Sequence, residues 1–440
     1  MQVPGLAARM SRPPRPPARF AFWLFLLIVG LAAAQSATAA GFDPSAETEK
    51  LLATLPAEAR AKSDAYFEGG YWLQLWNLVL ALALAWAVLR FGVAQKIRDF
   101  AEKKFQRRFA QGWLFLVVFS LVMWALNLPM DFYEGFIREH QYGMSNQNFG
   151  AWMGDNLKGL LVSLVLLPPI VSLLYLGIRS SPQRWWVRAG IATPFFMILF
   201  LVIAPVFIAP LFNKYTPLTD AKVRDPILSM ARANSVPAEN VYQFDASRQT
   251  KRISANVSGA LGTIRVSLND NLLNRCTPAE VQAVMGHELG HYVLNHIYKH
   301  VLSLSVLFIT GFWFTHWFFG VLHRRWGATA GVRDIADFAG LPLISASLGV
   351  FMFFATPVRN TIIRTAEQEA DVFGLNAARQ PDGFASTALK LAEYRKLKPG
   401  PWEEKIFYDH PSGYTRILTA MRWKAEHLAE LNAAAPAPKP

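Results

Sequence analysis

The sequence predicts a mainly α-helical protein that crosses a membrane several times and carries a small α+β domain split by two of the spans. Of its 440 residues, 52% are hydrophobic and only 17% are charged, which is too apolar for an ordinary soluble protein. The apolar residues gather into six long runs, and mixed helix and strand patterns separate the fourth run from the fifth. A polytopic membrane protein with an inserted soluble domain is therefore expected.

The charge distribution supports this fold class and argues against nucleic acid as a partner. The net charge is +13, but the basic residues cluster in short loops between the apolar runs, as the positive-inside bias of membrane proteins produces. The single cysteine, Cys276, excludes an intrachain disulfide and a thiolate metal site. Histidine and carboxylate groups remain as metal ligands.

The first 40 residues form a separate segment. Four arginines precede the apolar run Phe20–Leu31, and small residues follow through Ala40. This layout is typical of a secretory signal. The alternative is an uncleaved first membrane span, for which the apolar run is short.

The remaining chain divides by composition into membrane and soluble parts. Residues 41–212 are predicted to form an N-terminal membrane domain, and residues 301–358 to contribute two further spans. Residues 213–300 and 359–432 are the two halves of the soluble domain, and the Ala/Pro-rich tail 433–440 is predicted to be disordered. The predicted spans are Tyr71–Leu89, Trp113–Leu128, Leu160–Ile178, Ile191–Ile208, Val301–Leu322 and about Phe338–Phe354.

Short helices and strands are predicted within the soluble domain. One segment alternates Ile264, Val266 and Leu268 with polar residues, the period of a strand with one buried face. The predicted elements are helix Ala221–Ala233, strand Val241–Phe244, hairpin arms Arg252–Ser258 and Thr263–Leu268 around Gly259–Gly262, and helix Arg364–Ala378.

A further helix carries the pattern H-E-x-x-H at His287-Glu288-Leu289-Gly290-His291. Its start is marked by Thr277 as N-cap, Pro278 at the first helical position and Glu280 where a capping box places a carboxylate. Histidines four apart share a helix face, so they can bind one Zn²⁺ with Glu288 beside the metal's open position. The alternative is a solvated surface, but the flanking residues are apolar, and buried ionisable groups are costly unless something binds them.

A catalytic zinc needs a third protein ligand, and the run Glu367-Gln368-Glu369-Ala370-Asp371 offers carboxylates. Glu367 and Asp371 share a helix face, whereas Glu369 points elsewhere. We predict that Glu367 completes one zinc site per chain, and that Asp371 holds a ligand histidine or assists proton transfer. Glu288 is the predicted general base for a metal-activated water. These residues together predict a zinc metalloendopeptidase.

The sequence resembles a family of integral-membrane zinc peptidases that includes the type I CAAX prenyl proteases and bacterial membrane stress proteases. The resemblance covers roughly residues 60–425 and implies a helical membrane enclosure around a small zincin-like catalytic domain. The matching segments are His287–His291 with Asn295-His296, Glu367 with Ala370 and Asp371, Arg252–Asn256, Asp409-His410-Pro411 with Arg416, Pro205–Leu218 and Phe132–Gly150.

Three further residues are candidates for the active site. His410 and Arg416 are candidates to stabilise the tetrahedral oxyanion; alternatively they are a surface histidine and an ordinary helix arginine. Asn256, on the first hairpin arm, is a candidate to hydrogen-bond a substrate backbone laid along that edge. The alternative for Asn256 is an ordinary edge-strand asparagine.

The loop charges predict which membrane face carries the site. Loops 90–112, 179–190 and 323–337 carry seven, three and three Lys or Arg residues, whereas loop 129–159 carries two. The positive-inside rule assigns the three basic loops to the cytoplasm of a bacterial inner membrane. His287 and Glu367 then lie on the extracytoplasmic side, unlike the eukaryotic prenyl proteases, which face the cytosol.

Three functions are compatible with these patterns. The first is an endopeptidase for membrane-associated or lipidated CAAX-type peptides, whose partners are a peptide or protein substrate, prenylated or not, and the lipid bilayer. The second is a quality-control protease that degrades misfolded envelope proteins. The third is a membrane scaffold with a purely structural metal site, against which Glu288 argues because a structural site needs no base.

Overall fold

Long helices dominate the computed structural model, which describes residues 41–258 and 264–434. The signal-like segment 1–40, the hairpin turn Gly259–Gly262 and residues 435–440 of the predicted tail lie outside the described residues. The helices are α1 Pro44–Ala53, α2 Ala57–Arg90, α3 Val93–Lys104, α4 Arg108–Phe132, α5 Phe149–Ser180, α6 Trp185–Ile203, α7 Ala221–Ala233, α8 Asp270–Arg275, α9 Pro278–Val293, α10 His296–Leu322, α11 Leu341–Phe354, α12 Thr356–Ala378, α13 Pro381–Leu391, α14 Pro401–Phe407, α15 Gly413–Glu426 and α16 Leu428–Ala434.

Five helices in the described residues are long and apolar enough to cross a membrane, and each contains one predicted span. They are α2, α4 continued through a π-helical turn to Gln141, α5, α6 continued to Phe212, and α10 continued to Gly327. At most 28% of each apolar stretch is buried inside the protein. The remaining apolar side chains face outward, where a bilayer would cover them. The predicted fold class is therefore confirmed.

The sixth predicted span is a bent pair of helices rather than a single straight one. α11 has only 14 residues, and α12 continues from it after Ala355 at an angle of 56°. Pro357 has no N–H for the carbonyl of Phe353, so the helix breaks at this point. The second helix was predicted from Arg364, but it begins at Thr356 and leads directly from the apolar segment into the soluble domain.

The three basic loops meet at one end of the helix bundle. Buried Arg98 donates to Asp337 at 2.5 Å and to the carbonyl of Gly331 at 2.9 Å. Arg333 bonds Glu102 at 2.8 Å, so two arginines join loops 90–112 and 323–337. Arg179, from the third basic loop, donates to the carbonyl of Ala336.

Loop 129–159 lies at the opposite end, against the soluble domain. Its Asn146 donates a backbone N–H to the carbonyl of Gln249 at 3.1 Å. Its Glu139 forms an ion pair with Arg252 at 2.8 Å. The soluble domain and the basic loops therefore occupy opposite ends of the membrane helices.

A four-stranded sheet forms one layer of the soluble domain. Its strands are β1 Tyr215–Pro217, β2 Val241–Phe244, β3 Ala255–Ser258 and β4 Arg265–Asn269, in the order β1-β2-β4-β3. The two predicted hairpin arms, β3 and β4, pair antiparallel, and β2 runs parallel to β4. β1 was not predicted. β3 forms an edge of the described sheet and packs against α9, so the edge strand runs beside the H-E-x-x-H helix.

Two buried clusters hold this domain together. Val266, Leu268 and Leu272 pack against Met285 and Leu289 of α9 with no more than 2% of each side chain exposed. In the second cluster, α13 and α15 pack together, and Leu52 of α1 is buried among them. The segment that precedes the first span is thereby anchored on the C-terminal half of the soluble domain.

Candidate metal centre

The N-terminus of α9 is fixed by the predicted capping box. The Thr277 hydroxyl accepts the backbone N–H of Glu280, and the Glu280 carboxylate accepts the backbone N–H of Thr277 at 2.6 Å. The same carboxylate is bound by Lys390 at 2.6 Å and Ser386 at 2.5 Å, both on α13. Although burial alone would raise it, the pKa of Glu280 is lowered because Lys390, Ser386 and the backbone of Thr277 donate to its ionised form. The helix therefore enters the site in one fixed orientation.

Close contact of α9 with α12 brings the two halves of the site together. A Cβ on Gly374 would lie 2.7 Å from the backbone nitrogen of His287, and a Cβ on Gly286 would lie 2.9 Å from the carbonyl oxygen of Gly374. Only glycine permits this backbone approach. Sequence reasoning missed the contact, although the spacings Gly286-x-x-x-Gly290 and Ala370-x-x-x-Gly374 are typical of closely packed helices.

His287, His291 and Glu367 each present one ligand atom, and these atoms lie within 4.8 Å of one another. The two Nε2 atoms are 3.1 Å apart, and Oε2 of Glu367 lies 3.2 Å from Nε2 of His287. Two imidazoles and a carboxylate are the donor set of a catalytic zinc site with a position left for water. The structure thus brings together the three predicted ligands.

The carboxylate of Glu367 gives an independent test of whether a cation fits. Its Oε2 is buried and has no hydrogen-bond partner among the described residues, although Nε2 atoms of His287 and His410 lie 3.2 Å away. A buried carboxylate oxygen without a donor is costly. A divalent cation between these groups removes that cost, so the residues present fit the metal.

The far side of His287 is held by a buried ion pair. Its Nδ1 lies 2.8 Å from Asp371, and Asp371 accepts two hydrogen bonds from Arg416 at 2.5 and 3.0 Å. A hydrogen on Nδ1 leaves the Nε2 lone pair directed at the metal position. The guanidinium of Arg416 is therefore bound to Asp371.

The local environment sets the charge of the helix residues. Burial alone would lower the pKa of His287, but the neighbouring carboxylates of Asp371 and Glu367 stabilise the protonated ring and raise the pKa to about 9, so a metal must displace a proton from Nε2 when it binds. Burial, together with the charge on His287, lowers the pKa of His291 to about 3, so this ring is neutral and able to bind a metal. Burial also raises the pKa of Glu288 to about 7, where a carboxylate is an efficient general base.

The remaining predicted residues line cavities on either side of the ligand group. A cavity of about 260 Å³ contains His287, Glu288, His410 and Arg416 in its wall. His410 is oriented by Asp409, whose Oδ1 lies 2.8 Å from its Nδ1. Sequence reasoning assigned Asp409 no role, although its position directly before His410 was a signal. Asn256 lies apart from this group, in the wall of a cavity of about 1850 Å³ that also reaches His291.

Two family models match nearly all of the described chain. Residues 45–214 match the CAAX prenyl protease N-terminal model, described as five membrane helices, and residues 217–424 match peptidase family M48. The chain belongs to peptidase family M48. This M48 protein is therefore a membrane metalloprotease, and the resemblance found in its sequence is confirmed.

Several relatives align with this M48 protein over most of their length. The uncharacterized metalloprotease YhfN of Bacillus subtilis (strain 168) is 28% identical over 91% of this chain and 93% of its own. CAAX prenyl protease 1 of Saccharomyces cerevisiae is 26% identical over 80% of this chain and 78% of its own. The crystal structure of S. mikatae Ste24p superposes with a TM-score of 0.72 at 22% identity, over 93% of this chain and 100% of that one. The superposition supports a shared fold.

Proposed function

We propose that this M48 protein is a zinc-dependent endopeptidase that cleaves membrane-associated or lipidated, CAAX-type peptides. The observation that carries the proposal is the ligand group of His287, His291 and Glu367, with ligand atoms within 4.8 Å of one another and Glu288 beside them. Bound zinc supplies a water whose pKa is lowered to about 7 and a Lewis acid for the scissile carbonyl.

The protein's own residues supply the proton transfers. Glu288 takes a proton from the attacking water and passes it to the leaving nitrogen, because its carboxylate faces the small cavity and its pKa lies near 7. His410, oriented by Asp409, donates to the oxyanion that develops on the carbonyl. The geometry favours His410 over Arg416 for this task, because Arg416 is bound to Asp371 and stabilises the His287–Asp371 contact.

A peptide is expected to bind along the edge strand β3. β3 has a neighbour on one side only within the described sheet, so an extended substrate can add to it by backbone hydrogen bonds. Ala255 faces the small cavity and Asn256 faces the large one. A peptide on this edge would therefore pass the ligand group with one flank in each cavity, and the Asn256 amide would bond its backbone.

The large cavity supports an apolar group on the substrate. It has a volume of about 1850 Å³, and side chains of α5, α6 and α10 such as Leu174, Phe196 and Phe308 form most of its wall. It extends from these membrane helices to His291 and the edge strand. A lipid attached near the scissile bond would bury apolar surface there, at roughly 25 cal/mol per Å².

The test is cleavage of a matched pair of CAAX peptides by purified protein, one farnesylated and one not. We expect zinc-dependent cleavage of the farnesylated peptide, loss of activity with a chelator and recovery when zinc is restored. Equal cleavage rates for the two peptides would show that the lipid has no role in substrate selection. Full activity in the presence of a chelator that removes the metal from the protein would contradict the zinc mechanism.

A second candidate function is degradation of misfolded membrane proteins. The volume of the large cavity favours it, because about 1850 Å³ exceeds what most small-molecule pockets hold. A destabilised membrane protein co-reconstituted with the enzyme distinguishes the two functions. Its zinc-dependent degradation, together with no cleavage of the farnesylated peptide, would favour quality control.

A further inference from the structure

A second histidine lies directly behind the metal ligand His291. The Nδ1 atoms of His296 and His291 are 2.9 Å apart, and the two rings meet nearly edge to face with centroids 4.9 Å apart. The His296 side chain is only 1% exposed. Its Nε2 lies 3.1 Å from Oε2 of Glu369, which also accepts a hydrogen bond from Lys299 at 2.5 Å.

A backbone feature makes this contact possible. Residues five apart on a continuous helix point in different directions, because each residue turns the helix by about 100°. Here α9 ends at Val293, and Asn295 adopts a left-handed conformation with φ of 57° before α10 begins at His296. Asparagine tolerates this conformation better than most residues. The break turns the His296 ring back toward His291.

The positions of the hydrogens on the hydrogen-bonded side chains of His291 and His296 follow from metal binding. For His291 to bind through Nε2, its hydrogen must sit on Nδ1, which then donates to Nδ1 of His296. His296 must accept at Nδ1 and carry its own hydrogen on Nε2, which donates to Glu369. The opposite direction would place a hydrogen on Nε2 of His291 and block the metal. Glu369, which Lys299 holds in place, therefore favours the arrangement of hydrogens in which Nε2 of His291 is free to bind the metal.

We propose that His296 is a positioning residue for the metal ligand His291, and that Glu369 and Lys299 fix the orientation of His296. Asp371 positions His287 in the same manner, so each ligand histidine has a hydrogen-bond partner at its Nδ1 atom, on the side away from the metal. The inference rests on the proposed zinc function. Partners of this kind change metal affinity by roughly 10- to 100-fold.

The test is the zinc dissociation constant of the purified full-length protein, measured by competition with a chelator of known affinity. His296→Phe keeps the buried ring and removes both hydrogen bonds, so we expect it to weaken zinc binding by about 10- to 100-fold. His296→Asn keeps an acceptor near the place of Nδ1, so its affinity should fall between those of the parent and His296→Phe. Glu369→Ala should weaken zinc binding only a few-fold, since Glu369 is exposed.

His300→Phe is the matched control for zinc affinity. His300 lies one helical turn beyond His296, its ring centroid 6.3 Å away, and its Nδ1 has no hydrogen-bond partner in the described part of the chain. We expect a dissociation constant equal to that of the parent. The Co²⁺ absorption spectrum supplies a second readout, because a reoriented ligand shifts the bands of His296→Phe but not those of His300→Phe.

Each outcome decides something. An unchanged zinc affinity in His296→Phe, or an equal loss in His300→Phe, overturns the inference. If His296→Phe does not fold, as judged by a missing thermal transition of the apoprotein, His296→Asn and Glu369→Ala decide instead, and parental affinity in both overturns it. A parent protein that binds no zinc would instead contradict the proposed function.

Discussion

At the residue scale, Glu288 and Glu367 are two carboxylates at one site with different surroundings. Glu367 faces the imidazoles of His287 and His291, while Glu288 faces the small cavity. Environment rather than residue type assigns such roles. The two glutamates should therefore respond differently to substitution.

Replacing Glu288 by glutamine should abolish peptide cleavage without loss of zinc. The amide cannot accept the proton of the attacking water, so we expect turnover to fall by about 10²- to 10⁴-fold. Elemental analysis and peptide cleavage measure the two properties on the same sample. Undiminished turnover would remove the assignment of Glu288 as general base.

Replacing Glu367 by alanine should remove the metal itself, because two imidazoles remain as ligands. Glu369→Ala is the matched control for zinc occupancy, since Glu369 lies two residues further on the same helix and contacts Lys299 and His296 instead, so that its loss should weaken zinc binding only a few-fold. We expect stoichiometric zinc in the control and substoichiometric zinc in Glu367→Ala. The reverse pattern would make Glu369 the ligand.

At the element scale, the contact between α9 and α12 determines the geometry of the site. Gly374→Ala would insert a methyl group 2.7 Å from the His287 nitrogen and push the helices apart. Overpacking of this kind costs roughly 1–3 kcal/mol. We expect a lower Tm of the apoprotein and weaker zinc binding.

Gly349→Ala on α11 is the control for that substitution. No heavy atom lies within 4 Å of the position its methyl group would take. Alanine also favours a helix over glycine by about 1 kcal/mol, so the Tm should stay the same or rise. An unchanged zinc affinity and Tm in Gly374→Ala would show that the helices can separate freely.

The capping box of α9 should make stability depend on pH. Because the folded pKa of Glu280 is lowered, its ionised form stabilises the fold above its ordinary pKa, and this contribution disappears as pH falls through the lowered folded value. Glu280→Gln should lower the Tm at pH 7, and the difference from the parent should shrink in acid. Glu239→Gln, at an exposed position, should leave the Tm unchanged at every pH.

Elements marked by local signals were predicted correctly, and those set by distant contacts were not. The bounds of α7 and β2 and the start of α9 follow from periodicity and capping. The i, i+4 spacing likewise predicted that His287 and His291 share a face. The strand β1 and the Arg416–Asp371 pair depend on partners far along the chain, which no local pattern reveals. The bend at Ala355 does have a local signal, Pro357.

At the scale of the whole molecule, the opposite placement of the basic loops and the soluble domain makes membrane sidedness testable. In a Cys276→Ala background, Arg325→Cys reports on a basic loop and Glu239→Cys on the soluble domain, both at exposed positions. With the basic loops cytoplasmic, a membrane-impermeant maleimide should label Glu239→Cys in intact bacterial spheroplasts and Arg325→Cys only after lysis. Labelling in the reverse order would place the metal centre in the cytoplasm.

Both helices that supply the metal ligands are continuous with membrane segments or directly adjoin them. Glu367 lies eleven residues beyond the start of α12, a rise of roughly 17 Å from the bend, and His291 lies five residues before α10. If the proposed function holds, the scissile bond is expected to sit at a set height above the lipid. A bilayer-anchored polypeptide holds its bonds at that height at high effective concentration, whereas a freely diffusing one must reach it by chance. We therefore expect the protein to select peptide bonds by their distance from the membrane.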